Sequence, residues 1–164
     1  MMSRLSFFCF CAVTFLLQGS VLPILLDGRW QPDLWLTGII ISALVFNKKT
    51  AILLAVTGGL LQDIVTANFF GIHIFPYCMI TAMTMGIMRA RYNRQWLISV
   101  LAVMTGTAAY IFFLWIVVYV SGGHVRPVLY FFYDGIPQVM MNATAAIVLH
   151  NVLWNMKREW EPKW

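Results

Sequence analysis

Residues 96–120 read WLISVLAVMTGTAAYIFFLWIVVYV, a run of 25 positions without one charged side chain. A helix needs about 20 predominantly apolar residues to cross the hydrocarbon core of a bilayer, so this stretch predicts a membrane-spanning helix. A barrel strand is excluded, because the run is too long and its apolar residues do not alternate with polar ones. The same pattern recurs on both sides of it. The expected spans are residues 5–26, 33–47, 50–66, 72–88, 96–120 and 129–154, an all-α arrangement of six transmembrane helices in a single polytopic membrane domain covering residues 1–164.

Composition supports lipid as the solvent of this chain. Of its 164 residues 61% are hydrophobic and 10% charged, against about 25% charged in an ordinary soluble domain. Six spans with short connections leave no room for a soluble catalytic, nucleotide-binding or receptor domain. The net charge of +5 does not indicate nucleic acid, because the basic residues stand singly or in small groups between apolar runs and form no basic face. Cys9, Cys11 and Cys78 all lie inside apolar runs. Their odd number and placement argue against disulfides, and Cys9 and Cys11, two apart on a helix, point in different directions, so small apolar packing is the expected role.

The first run follows Arg4 as a signal peptide would. It is longer than an ordinary h-region, contains Gln18 and Pro23, and ends without a small-x-small cleavage site, so a retained first helix is expected. With six spans, one side carries Arg4, Lys48, Lys49, Arg89, Arg91, Arg94, Lys157, Arg158 and Lys163, and the other only Arg29 and Arg126. The positive-inside rule then places both termini in the cytoplasm. Trp30, Trp35, Trp96 and Trp160, near run ends, suit an interfacial belt. Residues 34–65 also admit a re-entrant hairpin, but that would bury Lys48 and Lys49 in lipid, so two short complete spans are preferred.

Asp63 is the side chain with the clearest chemical potential, since carboxylates within spans are expensive and rare. It stands about one turn from the end of the third run, where it is expected to cap the next helix or bond the turn at residues 67–71. A replacement by Asn is expected to keep much of the function. Gly58 and Gly59, and Gly38 with Ser42 four residues on, would let another helix approach closely; packing is the expected role of all four, and together with Gly71 they are the expected helix-packing or membrane-partner contacts. A relay or metal site built from Asp63, His73 and Asp134 has no spacing that fixes a coordination geometry, so no metal and no cofactor is expected. His124 and His150 lie too far along the chain to join it. Asp134-Gly135-Ile136-Pro137 suggests a kink or cap early in the last span, with Arg126 as a partner for Asp134. No phosphate-binding loop, dinucleotide fingerprint, His-Glu-x-x-His or Gly-x-Ser-x-Gly occurs, so no enzymatic activity is expected.

The segment from Pro32-Asp33-Leu34 through the basic turn Asn47-Lys48-Lys49 to the run from Gly59 to His73 resembles MreD, the rod shape-determining membrane protein family. The run carries a glycine, an aspartate four residues later and a glycine eight residues after that, at Gly59, Asp63 and Gly71. The motif covers roughly residues 31–90; elsewhere the likeness rests on hydropathy, short loops and a basic tail. The resemblance implies a non-enzymatic subunit of the bacterial cell-elongation and peptidoglycan-synthesis machinery in the inner membrane. Its implied role is a scaffold for MreC and, through it, for MreB, RodA and a class B penicillin-binding protein. It also implies a fold similar to the S-components of vitamin uptake transporters, which supplies the alternative of a small-molecule uptake subunit. Two features speak against that alternative. The first span offers only Ala12 where an Ala-x-x-x-Ala docking surface would stand. The polar residues available for a pocket, Gln18, Gln62, Asp63, His73, Gln138 and Asn142, are spread over four spans.

Overall fold

A computed structural model describes residues 4–26, 30–66, 71–91, 95–120, 122 and 126–158. Arg29, Arg94, His124, Trp160 and Lys163 lie outside the described residues. Six long helices carry the fold among those described. Helix α1 runs through Arg4–Leu16, a π turn at Leu17–Val21 and Leu22–Leu25. Then come α2 (Leu34–Val45), α3 (Lys48–Thr66), α4 (Ile74–Ile87) and α5 (Trp96–Val120). Helix α6 comprises Pro127–Tyr130, a π turn at Phe131–Gly135 and Ile136–Arg158. Four of the six, α1, α3, α5 and α6, are long and apolar enough to cross a membrane. With 12 and 14 residues, α2 and α4 measure only about 18 and 21 Å at 1.5 Å per residue.

The shortest of these helices is the centre of the bundle. Every residue of α2 from Trp35 to Val45 is buried, and the helix packs against α3, α4, α5 and α6. A helix apolar on all sides has no solvent face to keep, but in lipid that alone does not draw helices together; close approach of small residues does. Phe10 of α1 sits over Gly38, its ring 2.8 Å from where a methyl group on that glycine would lie. Gly58 on α3 receives Trp35 and Ile39 of α2, at 2.9 and 3.1 Å from such a methyl. Ile40 reaches to 2.6 Å from the corresponding point on Gly106 of α5, a glycine whose role the sequence pattern did not single out. Ser42 is fully buried and donates to the Ile39 carbonyl at 2.7 Å, which satisfies its hydroxyl within its own helix.

Three local expectations change. Lys48 and Lys49 begin α3 instead of forming a turn, because Asn47 caps that helix, its Oδ1 accepting from the Thr50 amide at 2.9 Å. Trp35 is buried in the core, with 1% exposure, and is no part of an interfacial belt, whereas Trp30 and Trp96 are exposed. Arg126 and Asp134 are both exposed, and no ion pair joins them. The kink near Pro137 takes the form of a π turn, and the π turn of α1 likewise ends just before Pro23. A proline removes one helical hydrogen bond and crowds the carbonyl four residues back; the widened turn makes room for it.

Candidate functional site

At the end of the bundle where α2 and α4 begin and α3 finishes, polar side chains converge. Asp33 is the N-cap of α2: its Oδ1 accepts from the Leu36 amide at 2.9 Å. Its Oδ2 accepts from the Tyr77 hydroxyl of α4 at 2.8 Å, and Gln18 of α1 donates to Oδ1 at 3.3 Å. The Asp33 amide donates to Oδ1 of Asn142 on α6 at 2.6 Å, and the Asn142 amide group donates to Thr107 on α5 at 3.0 Å. Gln18 occupies the π turn of α1, accepts from the Trp35 amide at 3.1 Å and donates to Gln62 of α3 at 3.4 Å. One buried carboxylate and two amide side chains therefore tie all six helices together.

Asp63 forms the second half of the cluster. Its Oδ2 accepts from the Gly71 amide at 2.7 Å, and its Oδ1 accepts from the His73 amide at 2.8 Å and lies 2.9 Å from His73 Nδ1. The amides of Gly71 and His73, eight and ten residues on, thus converge on this carboxylate; residues 67–70 of the expected turn lie outside the described residues. Gly71 has φ of +101° with open space around the missing side chain, so it is glycine for its backbone conformation and not for helix packing. The two halves meet through rings: His73 stands edge-on to Tyr77 with centroids 6.1 Å apart, and Tyr110 of α5 lies 6.4 Å from His73 and 5.6 Å from Tyr77.

Of the residues expected from the sequence, Asp33, Asp63, Gln18, Gln62, His73 and Asn142 are brought together here, with half-buried Pro32 directly before the cap. Gln138 and the exposed Asp134 are not among them, and no group of three metal-ligating side chains occurs among the described residues. Gly38, Ser42, Gly58 and Gly59 are each covered by the chain's own helices. At these small residues the close approach is made by helices of the same chain. Tyr77, Thr107 and Tyr110 were missed. The one sequence cue was Tyr77, four residues after His73 and hence on the same helix face.

Chemically the cluster is a fastening. Asp33 and Asp63 are stabilised by amide, hydroxyl and helix N-terminal donors, and the donors they take up leave little to offer a substrate. At the opposite end Ser99 lies 2.8 Å from His150 Nδ1, His150 stacks on Trp154, and Lys157 Nζ sits 5.1 Å from that indole ring. No curated protein and no solved structure was found to match this chain. A family model described as rod shape-determining protein MreD matches residues 1–158 of the 164, nearly the whole chain and every helix of the bundle, so the chain belongs to the MreD family of rod shape-determining membrane proteins.

Proposed function

We propose that this protein is a non-enzymatic scaffold of the bacterial cell-elongation complex, holding MreC in the inner membrane and, through it, MreB, RodA and a class B penicillin-binding protein. The observation that carries the reading is the engagement of the polar groups. Five of the six side chains able to line a ligand site are bonded to one another or to backbone, which makes the bundle one rigid body and leaves a solute few convergent groups to bind. A body of this kind presents fixed surfaces to other membrane proteins.

The reading includes six crossings with both termini cytoplasmic. It rests on the nine basic residues against two and on the burial of α2, whose short ends are wrapped by longer helices and so need not reach the lipid interface themselves. The arrangement is read as similar to the S-component fold, put to use in assembly. Depletion in a rod-shaped host, with microscopy and a mild-detergent pull-down, tests the proposal. Rounded cells and recovery of MreC or its associated synthase are expected. Normal rods together with recovery of an ATPase-coupled transport module would overturn it in favour of a small-molecule uptake subunit.

A further inference from the structure

Helix α1 is the least buried of the four long helices, and it meets the rest of the bundle along one row. Between Leu5 and Leu16 only Phe10 and Thr14 are buried. Gln18 continues the row at the same four-residue spacing, on one helix face. Both flanks of the row are open. A gap of about 480 Å³ lies on the α6 side, where Val13 faces Val148 and Val152, and one of about 200 Å³ lies on the α3 side, between Phe15 and Leu61.

The holds along the row are unequal. Gln18 is bonded to Asp33, Gln62 and Trp35, so α1 is fixed to the bundle there. Phe10 is held by fit, its ring seated over Gly38. Beside it the Cys11 thiol bonds to Thr57 of α3, and a thiol is a weak hydrogen-bonding group. Gln18 also stands in the π turn Leu17–Val21, the kind of widened turn at which helices bend. The 13 residues Arg4–Leu16 therefore extend about 20 Å from a firm pivot, with light contacts along them. Moving such a segment sideways into lipid forfeits packing but no hydrophobic burial, because acyl chains are as apolar as the side chains they replace.

We infer that Arg4–Leu16 is a hinged arm: it swings in the membrane plane about the π turn at Leu17–Val21, with the Phe10 ring over Gly38 as its latch. Opening uncovers Gly38 of the otherwise enclosed α2, while the Gln18 fastening and the five helices behind it stay in place. The inference holds whether or not the scaffold reading does.

Distances between pairs of spin labels, measured by electron spin resonance on the full chain in lipid nanodiscs, test it. Cys9, Cys11 and Cys78 are first replaced by serine, which keeps a hydroxyl opposite Thr57. One pair joins Leu5 to Leu97, near the starts of α1 and α5, on the arm's side of the pivot. The other joins Ile24 to Tyr119, beyond the pivot. All four positions are exposed, so labels there disturb no packing. Two distances are expected for Leu5–Leu97 and one for Ile24–Tyr119. Gly38→Ala places a methyl group 2.8 Å from the Phe10 ring, so that only a side chain has to yield, and Phe10→Ala removes the ring. Each should shift Leu5–Leu97 towards the longer distance and leave Ile24–Tyr119 as it was. A single Leu5–Leu97 distance with the latch intact would overturn the proposal. So would a second distance that neither latch variant enriches, or variants that broaden both pairs equally, since that is a loosening of the whole bundle.

Discussion

Asp63 accepts from two backbone amides, those of Gly71 and His73, on two different oxygens. That arrangement changes what an asparagine would do there. An amide side chain has one acceptor oxygen, and its NH2 group would face whichever amide is left over, donor against donor. The mild effect expected from sequence alone therefore gives way to a cost of about 1–3 kcal/mol for a buried donor left without an acceptor. Asp63→Asn should lower the thermal unfolding midpoint of the purified protein, and Asp63→Leu should lower it further. An unchanged midpoint for the asparagine variant would contradict this account. The location of Asp63 before a turn was legible because donor and acceptor lie only eight and ten residues apart. The partners of Asp33 were not, since Tyr77 is 44 residues away and Asn142 is 109. Nothing local in the sequence marks such pairs. Asp33 was visible only as part of a motif, and its load of four contacts became apparent when α1, α4 and α6 were placed around it.

Helices were the most readable level, because each apolar run has charged, Gly or Pro punctuation at its ends. What the runs could not convey is which helix lies against which. Gly58 and Gly59 read as a surface for close approach, and the helix that approaches Gly59 turns out to be α4 of the same chain. A methyl group at Gly59 would lie 2.5 Å from Ile74 Cα and 2.9 Å from its amide nitrogen. Backbone cannot rotate away as a side chain can, so α3 and α4 would have to separate. Gly86 near the end of α4 is the internal control, exposed and with nothing near its Cα. Gly86→Ala is expected to be neutral or to stabilise by up to about 1 kcal/mol through helix propensity. Gly59→Ala should destabilise by about 1–3 kcal/mol or more, as overpacking against a rigid neighbour does. Protein yield and thermal midpoint measured side by side check the contrast; equal behaviour of the two variants would mean that α3 and α4 are not in backbone contact. The π turns show the same limit of legibility. Pro23 and Pro137 announce a local disturbance, but only the tertiary contacts show that the first of these turns delivers Gln18 to Asp33 and Trp35.

On the scale of the whole molecule, the question is how helices of about 18 and 21 Å serve in a bilayer core of about 30 Å. The structure offers a physical answer in the placement of α2. Its first turn is capped by Asp33, and that cap is enclosed by Gln18, Tyr77 and Asn142 from three longer helices. Polar groups at its end are thus satisfied by protein below the level at which water would be required. At its other end Phe46 is buried and the chain turns within two residues, Asn47 capping α3 while Lys48 and Lys49 remain exposed. Long lysine side chains at such a position can extend to the interface while their helix ends short of it. A re-entrant hairpin would place this same turn near the middle of the bilayer, with two exposed lysines in hydrocarbon. The two topologies therefore differ in what reaches Asn47. In a background lacking Cys9, Cys11 and Cys78, a single cysteine at Trp30 should react with a membrane-impermeant maleimide on intact cells. A single cysteine at Asn47 should react only after the membrane is opened. Labelling of Asn47 from outside would exclude the six-crossing topology, and no labelling at Asn47 even in opened membranes would favour the hairpin, because only there is the turn shielded from water on both sides.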